Sequence, residues 1–332
     1  MIRMGIIANP ASGKDIRRLV SYATTIDNNE KVNIVKRIVL AGQAMGVEEF
    51  LFMPDTFQIG FSAADSLESD GALQAACRVL DIPLTASQQD TVVAAREMER
   101  QGVGCVVVLG GDGTSRAAAK GLEKVPILPL STGTNNVYPA MAEGTVAGMA
   151  AACICRLEDP GPCVIQDKRI EVWSEGRLQD IALIDVVISD DMYVGARAIW
   201  DPRRIRRIVV SRCHPASIGF SAAAGCLRLI GEDEDLGFAM ELGGGGEKIL
   251  APIAAGTLTS LEVAWAGEMP LNQPLRFVAE EICMAALDGE RELRLKKGQE
   301  ASIVIKRNGP FRVKLRETLE EAVRRGMFRI DI

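Results

Sequence analysis

Short apolar runs alternate with longer amphipathic segments through the first half of the chain. The apolar runs are typical of buried strands, and we predict four of them at residues 4–8, 50–53, 106–109 and 125–130. Apolar residues at helical spacing predict helices over residues 26–46, 57–64, 89–100, 116–122 and 144–156, another over 15–22 that Asp15 can cap, and a loop over 65–71. Strands and helices in alternation indicate a doubly wound, mostly parallel sheet.

The pattern changes after residues 159–162, where Asp-Pro-Gly-Pro breaks the last of these helices. A helix is predicted from residue 202 onward, because Asp201 and Pro202 are suitable first residues for one. Its apolar face would consist of Ile205, Ile208 and Val209. The rest of this part is expected to be antiparallel and largely β, with strands at 169–173, 181–188, 258–265, 275–278, 282–287, 292–295 and 302–306.

The end of the chain differs again. Residues 315–325 have the pattern of an amphipathic helix, Gly326 follows as its C′ residue, and residues 327–330 predict a final strand. We therefore divide the chain into an α/β domain over 1–157, a β-rich domain over 158–312, and a helix-strand ending over 313–332 that returns to the first domain. Four consecutive glycines at 243–246 predict a flexible loop inside the second domain.

Composition narrows the classes of function. Of the 332 residues, 48% are hydrophobic and 25% are charged, which is enough apolar material to fill the cores of about two globular domains. A net charge of −6 gives no electrostatic support to nucleic-acid binding. No apolar run reaches the length of a membrane span, and the first apolar run is too short for a secretory signal. We expect a cytoplasmic protein that binds no nucleic acid and does not insert stably into membranes.

Cysteine and histidine usage excludes further classes. The eight cysteines are scattered, so neither a disulfide framework nor a metal site is predicted. His214 is the single histidine of the sequence, and a Gly-x-Ser-x-Gly nucleophile elbow is missing, which disfavours Ser-His-Asp hydrolysis. Acid–base chemistry in this chain would therefore rest on carboxylates.

One carboxylate lies inside a glycine-rich turn. The run 106–109 is followed by Gly110, Gly111, Asp112, Gly113 and Thr114, and an Ala-rich helical segment comes next. A strand, a glycine turn and a helix present backbone N–H groups to phosphate, which repels a carboxylate. Such a residue needs a function: it could accept a proton from an attacking hydroxyl, or hold a metal ion. The alternative, a hairpin turn, is disfavoured because three alanines are poor material for a second strand.

Two other loops also follow predicted strands. The loop at 9–14 contains Asn9, Ser12 and Gly13, and could contact phosphate, although an ordinary strand–helix loop is an equally good interpretation. It is not a Walker A sequence, because Lys14 is followed by Asp15. Parallel strands end at one edge of the sheet, so these loops should converge on one polyphosphate. The third loop offers hydroxyls and amides for ribose or phosphate, or helix caps at its asparagines: Thr132, Gly133, Thr134, Asn135 and Asn136.

The glycine turn resembles the superfamily of NAD kinases and diacylglycerol or sphingosine kinases, which carries Gly-Gly-Asp-Gly-Thr. The loops at 9–13 and 132–136 resemble its other two nucleotide loops. Residues 182–186 lie where NAD kinases have an Asn-Glu pair, residues 214–225 where they have a Thr-Pro-Thr-Gly-rich loop, and residues 287–290 resemble a late Asp-Gly-Glu turn. The chain is most similar to the ATP-NAD kinase branch that includes the acetoin-catabolism X proteins.

This resemblance implies a two-domain kinase that uses ATP and Mg²⁺. The α/β domain would bind the nucleotide, and an antiparallel β-sandwich domain would close the cleft and help hold the acceptor. Asp112 would accept the proton of the acceptor hydroxyl, which is the 2′-OH of the adenosine ribose when NAD is the acceptor. The glycine turn, with Ser12 and Gly13, would hold the phosphates in line. Family members form homodimers or homotetramers.

The acceptor side departs from the NAD kinase pattern. Ile184 stands in place of the Asn, which leaves Asp185, and Ser217 belongs to a loop without the Gly-Ser-Thr-Ala-Tyr sequence. Both are candidate substrate-binding residues, although Asp185 could instead cap a turn. Asp288 is interpreted as a hairpin turn residue. NAD is the expected acceptor; a lipid or a small acetoin-related metabolite is the alternative, and a non-catalytic nucleotide-binding regulator is the third possibility.

Overall fold

Five parallel strands make up most of the first sheet. The computed structural model describes residues 1–12, 24, 26–190 and 202–329. Successive βα units bring the strands into the order β3-β2-β1-β4-β5, with parallel pairing throughout. The strands are β1 (Arg3–Ala8), β2 (Glu49–Phe52), β3 (Ala76–Val79), β4 (Cys105–Gly110) and β5 (Ile127–Ser131).

Helices cover both faces of this sheet, because buried side chains alternate between the two faces along each strand. Ile6 and Val107 belong to one core, whereas Ile7 and Val106 belong to the other. The first core is closed by α1, α2 and α5, and the second by α3 and α4. The helices are α1 (Asn28–Ala44), α2 (Ile59–Ser69), α3 (Gln88–Arg100), α4 (Asp112–Gly121) and α5 (Gly144–Arg156).

Two antiparallel sheets pack face to face in the second part of the chain. The orders are β12-β11-β10-β9-β14-β15 and β13-β16-β7-β8, and Val172 and Ile303 of the smaller sheet share a core with Val186 and Val209 of the larger. The predicted α/β fold with an antiparallel β-sandwich is confirmed. The strands are β7 (Arg169–Ser174), β8 (Arg177–Ala182), β9 (Asp185–Ser189), β10 (Ile205–Val210), β11 (Leu236–Ala254), β12 (Thr257–Pro270), β13 (Leu275–Val278), β14 (Cys283–Leu287), β15 (Glu290–Leu295) and β16 (Glu300–Lys306). A short helix, α6 (Phe220–Gly225), packs on the outer face of the larger sheet.

Two predicted elements are wrong because of tertiary packing. The helix predicted from Pro202 is a single 3-10 turn, Pro202–Arg204, followed by β10, while Asp201 lies outside the described residues. Strand β10 lies between β9 and β11, with Val209 in one core and Ile208 in the other. A strand buried on both faces loses its alternation and resembles a helix in sequence. In the loop predicted over 65–71, residues 65–69 are instead the second half of α2, where buried Leu67 extends the apolar face, and only Asp70 and Gly71 form a turn.

Two other predictions concern continuity of strands. Residues 181–188 form parts of two strands, because the chain crosses from β8 to β9 at residues 183–184. The glycines at 243–246 lie within β11 and not in a separate loop. Leu242 and Glu247 both pair with Val263, so the glycines form a bulge between them. A side chain on Gly246 would lie 1.8 Å from the Val263 carbonyl oxygen, so this position has no room for one.

Near its end the chain returns to the first sheet. Strand β17 (Phe311–Val313) pairs in parallel with β5 and antiparallel with β6 (Val164–Gln166), which a 3-10 helix, Gly161–Cys163, precedes. Helix α7 (Leu315–Arg324) packs against α5. Residues 327–329 form a turn and not the predicted strand, and Ile330 and the predicted helix over 15–22 lie outside the described residues.

The division at residues 157 and 312 stays a prediction. In the described ranges, no helix is long and apolar enough to span a membrane.

Candidate active site

The glycine turn joins β4 to α4, and Asp112 is the first residue of the helix. The three glycines are needed because neighbouring groups lie close to the turn. An added Cβ would come within 2.4 Å of Thr114 Cβ at Gly110, 2.7 Å of Asn136 Oδ1 at Gly111, and 2.7 Å of Glu290 Oε1 at Gly113. The turn leads into the N-terminus of α4, where backbone N–H groups without a partner inside the helix stabilise negative charge.

Backbone donors from another loop hold the Asp112 carboxylate. Its Oδ1 accepts hydrogen bonds from the N–H of Val137 at 3.0 Å and from the N–H of Tyr138 at 2.7 Å. Charge-assisted bonds of this kind are stronger than neutral ones and fix the orientation of the carboxylate. Asp112 is therefore oriented by residues 137–138, which follow the third predicted nucleotide loop.

The three loops that the sequence predicted to converge do meet in the structure. Asn9 Nδ2 donates to Thr114 Oγ1 at 2.9 Å, and Thr132 Oγ1 donates to Ser12 Oγ at 3.1 Å. The first contact joins the loops after the neighbouring strands β1 and β4, and the second joins the loops after β5 and β1, which lie on either side of β4. Gly13 lies outside the described residues.

A buried lysine that the sequence did not single out supports the first loop. Lys31 of α1 is fully buried, and its Nζ donates to the carbonyl oxygens of Asn9 at 2.9 Å and Ser12 at 2.8 Å. A lone lysine in a polar stretch of helix gives no sequence signal of this role, because its partners lie about 20 residues away.

The third loop is held mainly by its own polar groups. Asn136 Nδ2 donates to Ser131 Oγ at 2.8 Å, and Thr134 Oγ1 accepts from the backbone N–H of Thr24 at 3.1 Å. No helix starts here, since α5 begins at Gly144 with Glu143 as its cap, so the capping interpretation of Asn135 and Asn136 is wrong. Within the described part of the chain, buried Asn135 Oδ1 accepts no hydrogen bond.

A cleft opens beside these loops and joins the two parts of the fold. Asp112, Asn135, Asp185 and Asp288 contribute polar groups to it. The apolar part of the lining, which we call the apolar wall, comes from the second part of the fold and consists of Val187, Ile218, Phe220, Ile253 and Ala286.

The two candidate substrate-binding residues differ in position. Asp185 lines the cleft at the start of β9, two residues before Val187 on the same strand. Ser217 donates its hydroxyl to the His214 carbonyl oxygen at 2.6 Å and so closes a turn, while the next residue, Ile218, lines the cleft. Ile184 is buried in the core behind α3 and α4, so the position of the NAD kinase Asn does not contribute to the cleft here.

Asp288 is more than the turn residue that the sequence indicated. Its φ of +50° places it in the left-handed region, as a hairpin turn requires, and its side chain is buried. The carboxylate accepts hydrogen bonds from the N–H groups of Leu183 at 2.9 Å, Ile184 at 2.8 Å and Asp185 at 3.1 Å. Burial raises the pKa of Asp288, although Arg116 and these N–H groups act in the opposite direction. The turn thus fixes the chain where β8 passes to β9.

A buried arginine connects α4 to this turn. Arg116 of α4 is fully buried, and its guanidinium lies 3.1 Å from Glu290, 3.6 Å from Asp180 and 3.9 Å from Asp288. Gln88 also hydrogen-bonds to Glu290. Sequence reasoning missed Arg116, because an arginine in an Ala-rich helix is usually exposed and its carboxylate partners are 64 to 174 residues distant in the sequence.

Comparison with known proteins agrees with this architecture. Residues 4–156 match the family model of the ATP-NAD kinase N-terminal domain, and residues 168–308 match that of the acetoin catabolism protein X C-terminal domain. Acetoin catabolism protein X of Cupriavidus necator is 39% identical over 314 residues, which cover 91% of this chain and 87% of that protein. The chain belongs to the acetoin catabolism protein X family. The resemblance seen in the sequence is thereby confirmed.

The fold of this family member is also found in a solved structure. The crystal structure of yeast NADH kinase complexed with NADH aligns with this chain at a TM-score of 0.54 and 13% sequence identity. The alignment covers 100% of this chain and 89% of the NADH kinase chain. At this level of identity the likeness concerns the fold alone.

The groups around the cleft fit Mg²⁺ and ATP. Hydroxyls and backbone N–H groups of the three loops suit phosphate oxygens, and the buried Asn135 Oδ1 offers an oxygen ligand of the type Mg²⁺ prefers. In the described ranges, no group of three or more histidine, cysteine, aspartate or glutamate side chains could hold a metal by itself. In nucleotide sites Mg²⁺ takes part of its ligands from the phosphates.

Proposed function

We propose that this chain is an ATP-dependent kinase that phosphorylates a hydroxyl group, with NAD as its first candidate acceptor and NADP as the product. Its main support is the position of Asp112, which lies at the N-terminus of α4, beside the nucleotide loops and on the cleft. A carboxylate placed there is suited to a hydroxyl that enters the cleft.

In the proposed reaction the acceptor oxygen forms a bond to the terminal phosphorus of ATP, and the bond from that phosphorus to the ADP oxygen breaks. Asp112 accepts the proton of the acceptor hydroxyl, while residues 137–138 keep its carboxylate oriented. Bound Mg²⁺ would neutralise charge on the phosphates. The three loops hold the phosphates in line with the acceptor, so positioning accounts for most of the catalysis.

Support for NAD comes from the N-terminal region, which matches the ATP-NAD kinase domain over residues 4–156. A second acceptor class, an apolar hydroxyl compound such as a lipid or a small acetoin-related metabolite, is favoured by the apolar wall and by the burial of Ile184 away from the cleft. Homodimer or homotetramer formation and a cytoplasmic location stay predictions.

The test is an acceptor panel with purified full-length chain, ATP and Mg²⁺. NAD, NADH, diacylglycerol in mixed micelles, and acetoin with related diols are incubated separately, and phosphorylated products are identified by mass spectrometry. We expect NADP from NAD. Product from diacylglycerol or a diol with NAD inert would select the second acceptor class. Tight ATP binding with transfer to no acceptor would contradict the kinase and favour a nucleotide-binding regulator.

A further inference from the structure

The segment that orients Asp112 has no regular secondary structure of its own. Residues 137–138 follow the third loop and belong to neither a helix nor a strand. Their N–H groups nevertheless lie within 3.0 Å of Asp112 Oδ1. Hydrogen bonds of a helix or sheet do not fix this backbone, so side-chain contacts must do so.

The side chain of Tyr138 is the first such contact. Its ring is 4% exposed, and its hydroxyl donates to Asp167 Oδ2 at 2.7 Å. Asp167 is also buried, and Arg312 of β17 donates to both of its oxygens, from Nε at 2.7 Å and from a terminal nitrogen at 3.1 Å. Burial raises the pKa of Tyr138 well above its usual value, and the negative charge of Asp167 adds to the rise, so the hydroxyl stays protonated and donates.

Arg212 provides the second contact, from the end of β10. Its guanidinium lies 5.3 Å from the centre of the Tyr138 ring and donates to the Val137 carbonyl oxygen at 3.1 Å. Arg312 lies 5.9 Å from the same ring centre. Glu232 accepts hydrogen bonds from both arginines, at 3.2 Å and 2.6 Å. The peptide of Val137 is thus held at its N–H by Asp112 and at its carbonyl by Arg212.

We propose that Tyr138 is a positioning residue for Asp112. Together with Asp167, Arg212 and Arg312 it forms a buried clamp that fixes the two N–H groups on which the orientation of the carboxylate depends. The members come from both parts of the fold, so the position of the second part is coupled to Asp112. A catalytic role for this clamp rests on the proposed kinase function, whereas its effect on the 137–138 backbone does not.

Amide hydrogen exchange tests the clamp without any enzymatic assay. Tyr138→Phe removes one hydrogen bond to Asp167 and leaves the ring. We expect the amides of Val137 and Tyr138, read by NMR, to exchange about fivefold faster in the variant. Amides of β1, such as that of Ile6, report the loss of global stability, and they should accelerate less than those of residues 137 and 138. The matched control is Thr318→Val, which removes another buried hydroxyl, 2.8 Å from the Lys314 carbonyl oxygen, at a distance from Asp112.

Wild-type exchange at residues 137 and 138 in Tyr138→Phe would overturn the proposal, as would equal acceleration in Thr318→Val. With an acceptor identified, Tyr138→Phe should lower kcat about tenfold and change the KM for ATP less than twofold, because misplacement of Asp112 affects the chemical step. Unchanged kcat despite faster exchange would also overturn the positioning role. A wild-type protein that phosphorylates no acceptor would contradict the kinase, and the exchange result would still decide the clamp.

Discussion

The two sides of the cleft differ in how they are built. The side that we propose binds the nucleotide, called the nucleotide side below, consists of glycines, hydroxyls and backbone N–H groups at the ends of parallel strands, and its loops hydrogen-bond to one another. The other side is the apolar wall, in which Val187 and Ala286 come from strands and Ile218 and Phe220 from the segment before and at the start of α6. The first side suits an ATP phosphate chain, which every member of a kinase superfamily must bind. The second side can differ between relatives, so it is where acceptor choice would be decided.

The largest expected effect on stability comes from Arg116, whose ion pairs connect α4 of the first part to the second part of the fold. Arg116→Met should lower the free energy of unfolding by about 3–5 kcal/mol, because it removes a fully buried cation from between three carboxylates. Denaturant unfolding measures this loss. The control is Arg316→Met, at a position whose side chain is 88% exposed and which should change stability by less than about 0.5 kcal/mol. Equal stability of the two variants would mean that the ion pairs of Arg116 do not hold the two parts of the fold together.

The stability of the smaller antiparallel sheet should depend on pH through Glu171 of β7. Burial alone would raise the pKa of Glu171, but hydrogen bonds from Lys306, Arg169, Asn308 and Trp173 lower it to about 2 from 4.5. A carboxyl with a lowered folded pKa stabilises the fold above pH 4.5, and this contribution is lost as the pH falls toward 2.

Comparison of the wild type with Glu171→Gln isolates this contribution. The variant should lack up to about 3 kcal/mol of stability at pH 6, and the difference between the two proteins should shrink as the pH falls below 4. Unfolding free energies measured at four pH values give the slope. A difference that is independent of pH would show that the charge of Glu171 does not matter.

On the nucleotide side, Gly110→Ala should weaken ATP binding and reduce stability by about 1–3 kcal/mol. The added methyl group would lie 2.4 Å from Thr114 Cβ, which is part of the same turn and cannot move away without changing it. Titration calorimetry with ATP and thermal unfolding measure the two effects. Gly243→Ala is the control, since a Cβ there meets only Ala264 at an ordinary 3.8 Å. ATP affinity of the wild-type magnitude in Gly110→Ala would place the nucleotide elsewhere.

On the acceptor side, Ile218→Ala should raise the KM for the acceptor about fivefold and leave the KM for ATP unchanged, because it removes apolar contact area from the wall alone. Leu229→Ala is the control, at an exposed position that is not among the cleft residues. A change in the KM for ATP instead of the acceptor would reverse the assignment of the two sides.

Sequence and structure agree best where the interactions are local. The turn at Gly110 to Thr114 could be predicted, since strand, turn and helix follow one another directly in the chain. Arg116 and Tyr138 could not, because their roles depend on carboxylates that lie far away in the sequence. Strand β10 was mistaken for a helix because it is covered on both faces. Asp288 has both a local and a long-range role: its turn could be predicted, but the hydrogen bonds that its carboxylate accepts from three distant N–H groups could not.

The most direct test of the central claim is a single-turnover measurement of phosphoryl transfer, in which excess wild type or Asp112→Asn is mixed with labelled ATP, Mg²⁺ and the acceptor found in the panel. If Asp112 accepts the hydroxyl proton, the variant should bind ATP within about threefold of the wild type and transfer the phosphoryl group about a thousandfold more slowly. Transfer by Asp112→Asn at the wild-type rate would contradict the assignment of Asp112 and the mechanism built on it.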